Sequence, residues 1–386
     1  MDEHAKRTFE TIADQCTGCG ICAEGCEHLQ NCGDHLPDEI AKILSAGDPD
    51  ETVIDFIQKC SLCGMCCELC PEDLDIAGMV QTARSEFIES GIVDPEQYHF
   101  LWVDHDWNAF SLYRRTYNMD ALYADLTQNR CNVLFFPGCM LTNEGPHLVQ
   151  AAAQWLGQGG QEVGASLQCC GAPLYQMGLA ARAKDYSERL WRSIEDRGVR
   201  RVVTACPTCH QRLVETNNSD LEVISIFKLM AEAGLGVSDT GFKTVTVHDS
   251  CTDRSGAIGK CVRKLLAGLN VKEMAHSGTD TICCGSGGIV SAVDPDICEA
   301  RAAARMREVS ETGADVCVTY CMACAHRLNA QSKGNSVRHI LELVFNEPVD
   351  HEAFNEKNYN MWTDETGEEN SDLLMQSEVL DLQPSS

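Results

Sequence analysis

Hydrophobic residues in the first 91 positions recur at intervals of three or four. Three segments have this spacing, each with Asp or Pro at its start: PDEIAKILSAG (37–47), DPDETVIDFIQKC (48–60) and DIAGMVQTARSEFIESG (75–91). Such spacing is typical of amphipathic helices, and Asp and Pro favour helix N-termini. We therefore predict an α-helical N-terminal part, whose last helix is ended by Gly91.

Beyond residue 130 the hydrophobic positions form short unbroken runs. VLFFPGC (133–139) and VTVHDSC (245–251) each have the character of a buried strand with a cysteine beyond its carboxyl end. Amphipathic segments such as PHLVQAAAQWLGQGG (146–160) alternate with these runs. The alternation predicts parallel sheets covered by helices on both faces.

This C-terminal two thirds is an internal duplication. ERLWRSIEDRGVRRVVTACPTC (188–209) aligns with ARMREVSETGADVCVTYCMAC (304–324), both as helix, glycine, strand and Cys-x2-Cys. Corresponding cysteines lie 112, 114 and 115 positions apart, a nearly constant offset that indicates a repeat. The predicted fold class is α+β and multidomain. Its parts are a helical domain (1–91), a connector (92–130), two α/β domains with parallel sheets (131–242 and 243–348) and an acidic tail (349–386).

Composition narrows the class of protein. The 386 residues are 44% hydrophobic, enough for a sizeable core. The formal net charge of -28 comes from residues 1–130 and 349–386, whereas residues 131–348 are nearly balanced. Acidic ends of this kind repel a phosphate backbone, so we expect no nucleic-acid partner. The start MDEHAKRTFE lacks the apolar core of a signal peptide, and no segment has the roughly 18 consecutive apolar residues of a membrane span. We therefore expect a cytoplasmic protein, peripheral to a membrane only through a partner subunit.

The 24 cysteines are better explained by metal than by disulfides in a reducing compartment. Two sets in the N-terminal third share the spacing Cys-x2-Cys-x2-Cys-x3-Cys. In bacterial two-cluster ferredoxins, three such cysteines bind one [4Fe-4S] cubane and the fourth crosses to the other. Zinc is the alternative, but tetrahedral zinc has no use for this repeated spacing. The predicted ligands are Cys16, Cys19, Cys22 and Cys70 for the first cubane, and Cys60, Cys63, Cys66 and Cys26 for the second.

Each α/β repeat carries five further cysteines, including an adjacent pair followed by glycine. Consecutive α-carbons lie about 3.8 Å apart, too close for the usual disulfide, so each pair needs other partners. The carboxyl ends of parallel strands meet at one sheet edge, where we expect these thiols to converge. Five thiolates exceed the need of one cubane, which predicts an unusual cluster or four ligands and a catalytic cysteine. The two sets are Cys139, Cys169, Cys170, Cys206 and Cys209, and Cys251, Cys283, Cys284, Cys321 and Cys324.

With both cysteine patterns in place, residues 10–345 resemble the D-subunit family of heterodisulfide reductases. That family fuses a ferredoxin module to two domains with a lone cysteine, then Cys-Cys-Gly, then Cys-x2-Cys, and both repeats match this pattern. The resemblance implies a noncubane [4Fe-4S] cluster in one or both repeats and a small disulfide that is reduced or formed there. It also implies a partner that donates or accepts electrons, either a membrane cytochrome or a flavoprotein.

Within this resemblance, the catalytic cysteines are expected to be Cys283 and Cys284. The residues after them are small, whereas those after the first pair are bulky, so the second site is expected to be more open to substrate. Thiolate products need protons, for which His210 and His326, close behind the Cys-x2-Cys motifs, are candidates. A structural or solvent-facing role is the alternative for both histidines. Arg254 is expected to bind an anionic substrate group or to neutralise cluster charge.

A second class of function has the same layout. Iron-sulfur relay subunits of flavin-dependent glycolate, lactate or glycerol-3-phosphate dehydrogenases resemble this chain, although one of their CCG copies is often incomplete. Two complete copies favour the reductase. No GxGxxG fingerprint follows a strand, so any flavin would belong to a partner. A zinc-dependent scaffold is the third alternative.

Three further features yield simpler expectations. The aromatic residues of 92–130 are predicted to pack the helical domain against the next domain, with cofactor binding as the alternative. The tail from Asp350 is acidic with few aromatics and is predicted to be mobile. The cysteines outside both schemes are expected to be buried structural thiols. They are Cys32, Cys67, Cys131, Cys261, Cys298 and Cys317.

Overall fold

The N-terminal domain is built from helices alone. The structure, a computed structural model, describes residues 1–33, 35–127, 130–237, 241–332 and 336–382. The three helices predicted from hydrophobic spacing are present as α4, α5 and α7, whereas α1 was not predicted. The helices of this domain are α1 (Glu3–Gln15), α2 (Ile21–Glu24), α3 (Glu27–Gln30), α4 (Pro37–Ala46), α5 (Glu51–Lys59), α6 (Met65–Glu68) and α7 (Ile76–Glu89).

The two cysteine motifs of this domain fold alike. Gly20 and Gly64 precede the short helices α2 and α6 with φ of 78° and 72°, in the left-handed region that glycine adopts most easily. Each motif therefore turns sharply after its second cysteine and presents its third on the first turn of a helix.

The connector folds as a series of short helices. It contains two 3-10 helices, Pro95–Leu101 and Asp120–Tyr123, which flank α8 (Ala109–Thr116). Its aromatic side chains contact the tail: the Tyr113 ring packs on Phe354 at 4.9 Å between centroids. Arg182, from the first α/β domain, lies 3.9 Å over the Trp102 ring. Tyr98 and Trp102 also share one buried cluster with residues of the helical domain and of the first α/β domain, so the connector packs these two domains together, as predicted.

The first α/β domain has a four-stranded parallel sheet of order β2-β1-β3-β4. The register pairs Val133 with Arg201 and Val133 with Val163. Its strands are β1 (Val133–Phe136), β2 (Val163–Ala165), β3 (Arg201–Thr204) and β4 (Glu222–Ser225). Its helices are α9 (Cys139–Glu144), α10 (Pro146–Leu156), α11 (Ala172–Met177), α12 (Ala180–Asp196), α13 (Pro207–Thr216) and α14 (Ile226–Glu232).

The second α/β domain repeats this topology, with a parallel sheet of order β6-β5-β7-β8. The predicted fold class, helical ferredoxin domain followed by duplicated α/β domains with parallel sheets, is confirmed. Its strands are β5 (Thr244–His248), β6 (Asn270–Val271), β7 (Val316–Thr319) and β8 (Ser336–His339). Its helices are α15 (Ala257–Leu265), the 3-10 helix Gly278–Asp280, α16 (Val290–Val293), α17 (Pro295–Thr312), α18 (Met322–Ala330) and α19 (Ile340–Phe345).

The tail is folded, so the prediction of a mobile segment was wrong for its described part. It forms α20 (His351–Asn360) and α21 (Asp364–Met375), and Val379 pairs with His105 of the connector. Phe354 and Met361 are buried while the acidic side chains stay largely exposed. A few apolar anchors on a solvated helix are enough for docking. Residues 383–386 lie outside the described residues.

Across the described residues, the structure contains no helix with both the length and the apolar character needed to cross a bilayer.

Candidate functional site

The cysteines predicted to bind the first cubane lie together. Cys16, Cys19, Cys22 and Cys70 line one small cavity between the start of α2 and the end of α6. Burial, reinforced by the neighbouring Cys16 and Cys19 thiols, raises the pKa of the Cys22 thiol to about 11. Thiols crowded in this way are unfavourable as free thiolates and favour a bound metal.

The cysteines predicted to bind the second cubane line a larger cavity of about 820 Å³. Cys26 joins Cys60, Cys63 and Cys66 there, so the fourth cysteine of the first motif crosses to the second group, as the spacing predicts. Cys283 of the second α/β domain lines the same cavity. Two four-cysteine groups are thus assembled in the helical domain, and the second of them borders another cysteine set.

The five cysteines of the first α/β domain meet at the carboxyl edge of its sheet. Cys139 begins α9, Cys206 caps α13, and the adjacent pair follows β2. Gly138 makes this convergence possible, because a Cβ there would lie 2.8 Å from the Cys206 Cβ and 3.2 Å from the Cys209 Sγ. Only glycine fits between the two thiol segments.

The thiols of this first set form a continuous chain of contacts. Cys169 interacts with Cys139 and Cys170, and Cys209 interacts with Cys170 and Cys206. These contacts hold the pKa of the Cys170 thiol well below its ordinary value and raise those of Cys169 and Cys209. The five thiols of this set therefore influence one another's ionisation as one group.

The second α/β domain repeats the arrangement. The Sγ atoms of Cys284 and Cys324 lie 3.2 Å apart, and Cys283 interacts with Cys251 and Cys284. Contacts with those two thiols hold the pKa of Cys283 well below its ordinary value. Cys321 completes the set through its contact with Cys324.

The donor sets fit iron-sulfur clusters. Sulfur donors select iron-sulfur clusters, zinc or cuprous copper, and five convergent thiols exceed the four ligands of a structural zinc. The backbone N–H of Gly285 donates to the Cys283 Sγ at 3.2 Å, and such hydrogen bonds to ligand sulfurs tune cluster potentials. All 24 cysteines are free thiols in the structure, so none is consumed by a disulfide.

The cavity predicted to hold the second cubane also borders the second α/β site, because Cys63 and Cys283 both line it. Cys63 lies close enough to Cys283 for the two thiols to influence each other's ionisation. Arg254 donates to the Cys63 carbonyl from Nε at 2.9 Å and from Nη2 at 2.7 Å, and from Nη1 to the Thr281 carbonyl at 2.8 Å. Arg254 therefore binds backbone at the junction of the two sites.

The small residues after Cys283 and Cys284 pack against the helical domain. A Cβ at Gly288 would collide with the Cys60 carbonyl oxygen, and one at Gly287 would lie 2.5 Å from the Ser61 carbonyl oxygen. The glycines allow the helical domain to approach, and Cys283 and Cys284 are both buried. Their segment is thus packed against the helical domain, while Cys283 also lines the cavity of about 820 Å³, so the expectation that this site is more open to substrate stays a prediction.

Arg84, which was not among the predicted site residues, holds all three domains together. It is 1% exposed and donates to five carbonyl oxygens: those of Ile57, Gln58, Cys60, Gln176 and Gly288. None of the ion pairs between described residues includes it. One sign of this role is present in the sequence: an arginine stands on the face of α7 whose other positions are mostly apolar.

His248 was also not predicted, and it distinguishes the two repeats. It stands three residues before Cys251, where the first repeat has Phe136. A ring nitrogen of His248 lies within 4.8 Å of the Sγ atoms of Cys284 and Cys324. Its Nδ1 accepts a 2.9 Å hydrogen bond from Arg305 Nε, so Nε2 carries the proton. Burial, with help from Arg305, lowers its pKa to about 3, so the ring is neutral.

The two histidines predicted as proton donors have protein partners. His210 Nδ1 lies 3.0 Å from Thr204 Oγ1, and burial lowers its pKa. His326 Nδ1 lies 3.0 Å from Glu144 Oε1, and its ring meets Phe354 edge-on. Their catalytic roles stay predictions. Four of the cysteines outside both schemes are buried as expected, while Cys67 and Cys261 are partly exposed.

Comparison with known families agrees with this geometry. Residues 15–75 match the 4Fe-4S dicluster domain, and residues 133–213 and 245–329 each match the cysteine-rich domain CCG. The chain is an iron-sulfur protein of the kind found in oxidoreductases. More specifically, it carries a 4Fe-4S dicluster domain followed by two CCG domains, and its relatives include the D subunits of heterodisulfide reductases.

Curated relatives cover most of the chain at low identity. The B subunit of fumarate reductase (CoM/CoB) of Methanothermobacter marburgensis is 26% identical over 85% of this chain and 71% of its own length. The D subunit of dihydromethanophenazine:CoB--CoM heterodisulfide reductase of Methanosarcina acetivorans is 25% identical over 82% and 88%. The glycolate oxidase iron-sulfur subunit of Escherichia coli is 22% identical over 87% and 94%.

A solved structure shares the fold. A hypothetical protein from Helicobacter pylori superposes with a TM-score of 0.52, covering 92% of this chain and 75% of its own, at 10% identity.

Proposed function

We propose that this chain is a heterodisulfide reductase-like iron-sulfur oxidoreductase that reduces, or forms, a small disulfide. The proposal includes two cubanes in the helical domain and a noncubane [4Fe-4S] cluster in one or both CCG domains. The observation that carries it is a single cavity lined both by Cys63 of the proposed second cubane site and by Cys283 of the second CCG site. A one-electron carrier site therefore adjoins a complete five-thiol site.

Different residues would hold the two neighbouring clusters. Cys60, Cys63, Cys66 and Cys26 would hold the second cubane, and the five thiols from Cys251 to Cys324 the adjacent cluster. When bound, these groups supply one-electron carriers and a centre at which a sulfur–sulfur bond can accept two electrons. Arg254 fixes the backbone between the two sites, and the buried Arg84 supplies positive charge beside Cys60.

The reaction must also balance protons. Reduction of R–S–S–R′ breaks one S–S bond, takes up two electrons and two protons, and releases RSH and R′SH; formation is the reverse. Cys283 and Cys284 are the proposed catalytic cysteines. His210 and His326 remain the proposed proton donors. The neutral His248 adds a hydrogen-bond donor near the second set that the first repeat lacks.

A partner subunit completes the proposal. Electrons must reach or leave the helical domain, and relatives of this chain are named as subunits of larger reductases or oxidases. The partner we propose is a membrane cytochrome or a flavoprotein, which would place this chain at the membrane surface in the first case.

The second candidate is an electron relay for a flavin-dependent dehydrogenase. The similarity to a glycolate oxidase iron-sulfur subunit supports it. A relay binds no thiol substrate, so the two candidates differ in their response to thiols.

That difference provides the experiment. The protein would be purified without oxygen, its iron counted, and its paramagnetic resonance spectrum recorded after oxidation with and without a panel of thiols. About sixteen irons per chain and a signal that requires a particular thiol are expected for four clusters and a substrate-binding centre. A spectrum indifferent to every thiol, with about eight irons, would reject the reductase and favour the relay.

A further inference from the structure

A second constellation of ligand-type side chains lies away from the cysteines. Glu144 ends α9 in the first CCG domain, His326 lies on α18 in the second, and His351 begins α20 in the tail. Glu144 Oε1 is 3.0 Å from His326 Nδ1 and 2.6 Å from His351 Nδ1. One ligand atom from each residue lies within 4.8 Å of the other two. Three separate parts of the chain thus converge on one point.

The carboxylate at this point is buried and only partly satisfied. The Glu144 side chain is 0% exposed, and its Oε2 has no hydrogen-bond partner among the described residues. Burial alone would raise the pKa of Glu144, but hydrogen bonds from His326 and His351 hold it below its usual range. A buried carboxylate with one oxygen that accepts no hydrogen bond is stabilised only if positive charge or further hydrogen-bond donors lie nearby.

The two histidines satisfy that need only in part. Both Nδ1 atoms approach the same carboxylate oxygen, which leaves Oε2 without a partner among the described residues. His351 Nε2 is likewise buried without a hydrogen bond in the part of the chain that the structure describes, 4.0 Å from Glu342 Oε1. Metal-ligating histidines usually direct their second nitrogen towards a carboxylate or carbonyl, so Glu342 stands where such a partner belongs.

We propose that Glu144, His326 and His351 bind one zinc ion at the junction of the two CCG domains and the tail. Two histidines and one glutamate form a ligand set that zinc uses, with a fourth position left for water. Bonds of about 2.0–2.1 Å in a tetrahedron separate the ligand atoms by about 3.3 Å. The contacts of 3.0 and 2.6 Å therefore need to open by less than about 1 Å to admit the ion.

The site would fasten the tail to both CCG domains. Phe354 already packs on His326 and Tyr113 beside it, which gives the ion an apolar wall. None of the three residues belongs to the cysteine sets, so the zinc site stands without the proposed reaction. The two proposals compete only for His326, because a ring nitrogen of His326 that binds zinc carries no proton to donate to a thiolate product.

The test uses the full chain, purified without oxygen from zinc-supplemented cells. Zinc and iron would be measured on the same sample, and X-ray absorption at the zinc edge would identify the ligands. We expect about one zinc per chain with nitrogen and oxygen neighbours near 2.0–2.1 Å and no sulfur shell near 2.3 Å. Sulfur neighbours would mean that zinc occupies cysteine sites, and no zinc would mean a hydrogen-bonded cluster only. Either result overturns the proposal.

Variants separate the site from the fold. His351→Asn and Glu144→Gln should each remove most of the zinc while leaving the iron content unchanged. Glu352→Gln, which changes an exposed neighbour of His351 on α20, is the control and should keep its zinc. Full zinc retention in His351→Asn would overturn the proposal even if Glu144→Gln failed to fold.

Discussion

Arg84 Nη1 donates a 2.9 Å hydrogen bond to the carbonyl oxygen of Gly288, 204 residues further along the chain. The same guanidinium donates to Cys60 at 2.7 Å and to Gln176 at 2.6 Å. One buried cation therefore joins the helical domain to the segments that come after both Cys-Cys-Gly motifs. Because no carboxylate forms an ion pair with it among the described residues, the negative charge nearest to it is that of the adjacent cysteine set.

The first prediction concerns this charge. Arg84→Met should lower the reduction potential of the second cubane by on the order of 50–100 mV, equivalent to about 1–2 kcal/mol, because a nearby cation stabilises the reduced cluster. Arg84→Lys keeps the charge and should shift the potential less, although it loses the five-bond fork. A redox titration followed by paramagnetic resonance measures both. Equal shifts in the two variants would show that geometry, rather than charge, sets the potential.

How far the sequence predicts the structure depends on the separation of the contacting residues. Cysteine spacing and repeat offset are local patterns, and the structure brings together the cysteine groups they predicted. Arg84 and His248 act through partners far along the chain, and nothing in the flanking residues identifies those partners. Helix α20 has only Phe354 as a buried side chain, a pattern too weak to distinguish from a solvated tail. The close approach of Cys60 and Ser61 to Gly287 and Gly288 could not be predicted from the sequence either, because the two segments lie far apart along the chain.

The second prediction tests the asymmetry between the repeats. His248→Phe copies the first repeat and removes an N–H near the sulfurs of Cys284 and Cys324. His248 Nε2 has no hydrogen-bond partner among the described residues, and a cluster bound here would offer it an acceptor. Such a hydrogen bond, about 1 kcal/mol or about 40 mV for one electron, would be lost, so the potential of the second CCG centre should fall by roughly that amount. Phe136→Leu, at the matching position of the first repeat, should leave this centre unchanged. If both substitutions shifted it alike, the effect would be one of packing.

The third prediction is a pH dependence of stability. His339 is fully buried, and burial lowers its pKa from 6.5 to about 4. Below about pH 6.5 His339 is therefore protonated in the unfolded chain but stays neutral in the folded chain. The free energy of unfolding falls as the pH drops from about 6.5 towards 4. By pH 5.5 this one group costs about 1.4 kcal/mol.

A matched variant isolates that contribution. His339 Nδ1 caps α19 by accepting from the Leu341 N–H, and His339→Asn keeps an acceptor there without the titration. Denaturant unfolding at pH 7.5 and 5.5 should show the variant losing about 1.4 kcal/mol less than the wild type. Parallel losses in the two proteins would show that His339 is protonated in the folded state.

The last prediction concerns Cys284, whose Sγ lies 3.2 Å from that of Cys324 in a fully buried contact. Cys284→Ala removes one of five thiols and should cost about four irons per chain, while the cubane signals of the helical domain persist. Persistence is expected because Cys284 is absent from both cubane cavities, which draw on other cysteines. Cys261→Ala replaces a partly exposed thiol outside every cysteine set; this control variant should retain all its iron.

An unchanged iron content in Cys284→Ala would show that Cys284 is not a cluster ligand. Loss of the cubane signals together with the four irons would instead mean that the second CCG centre and the adjoining cubane assemble as one unit, as the cavity lined by both Cys63 and Cys283 permits.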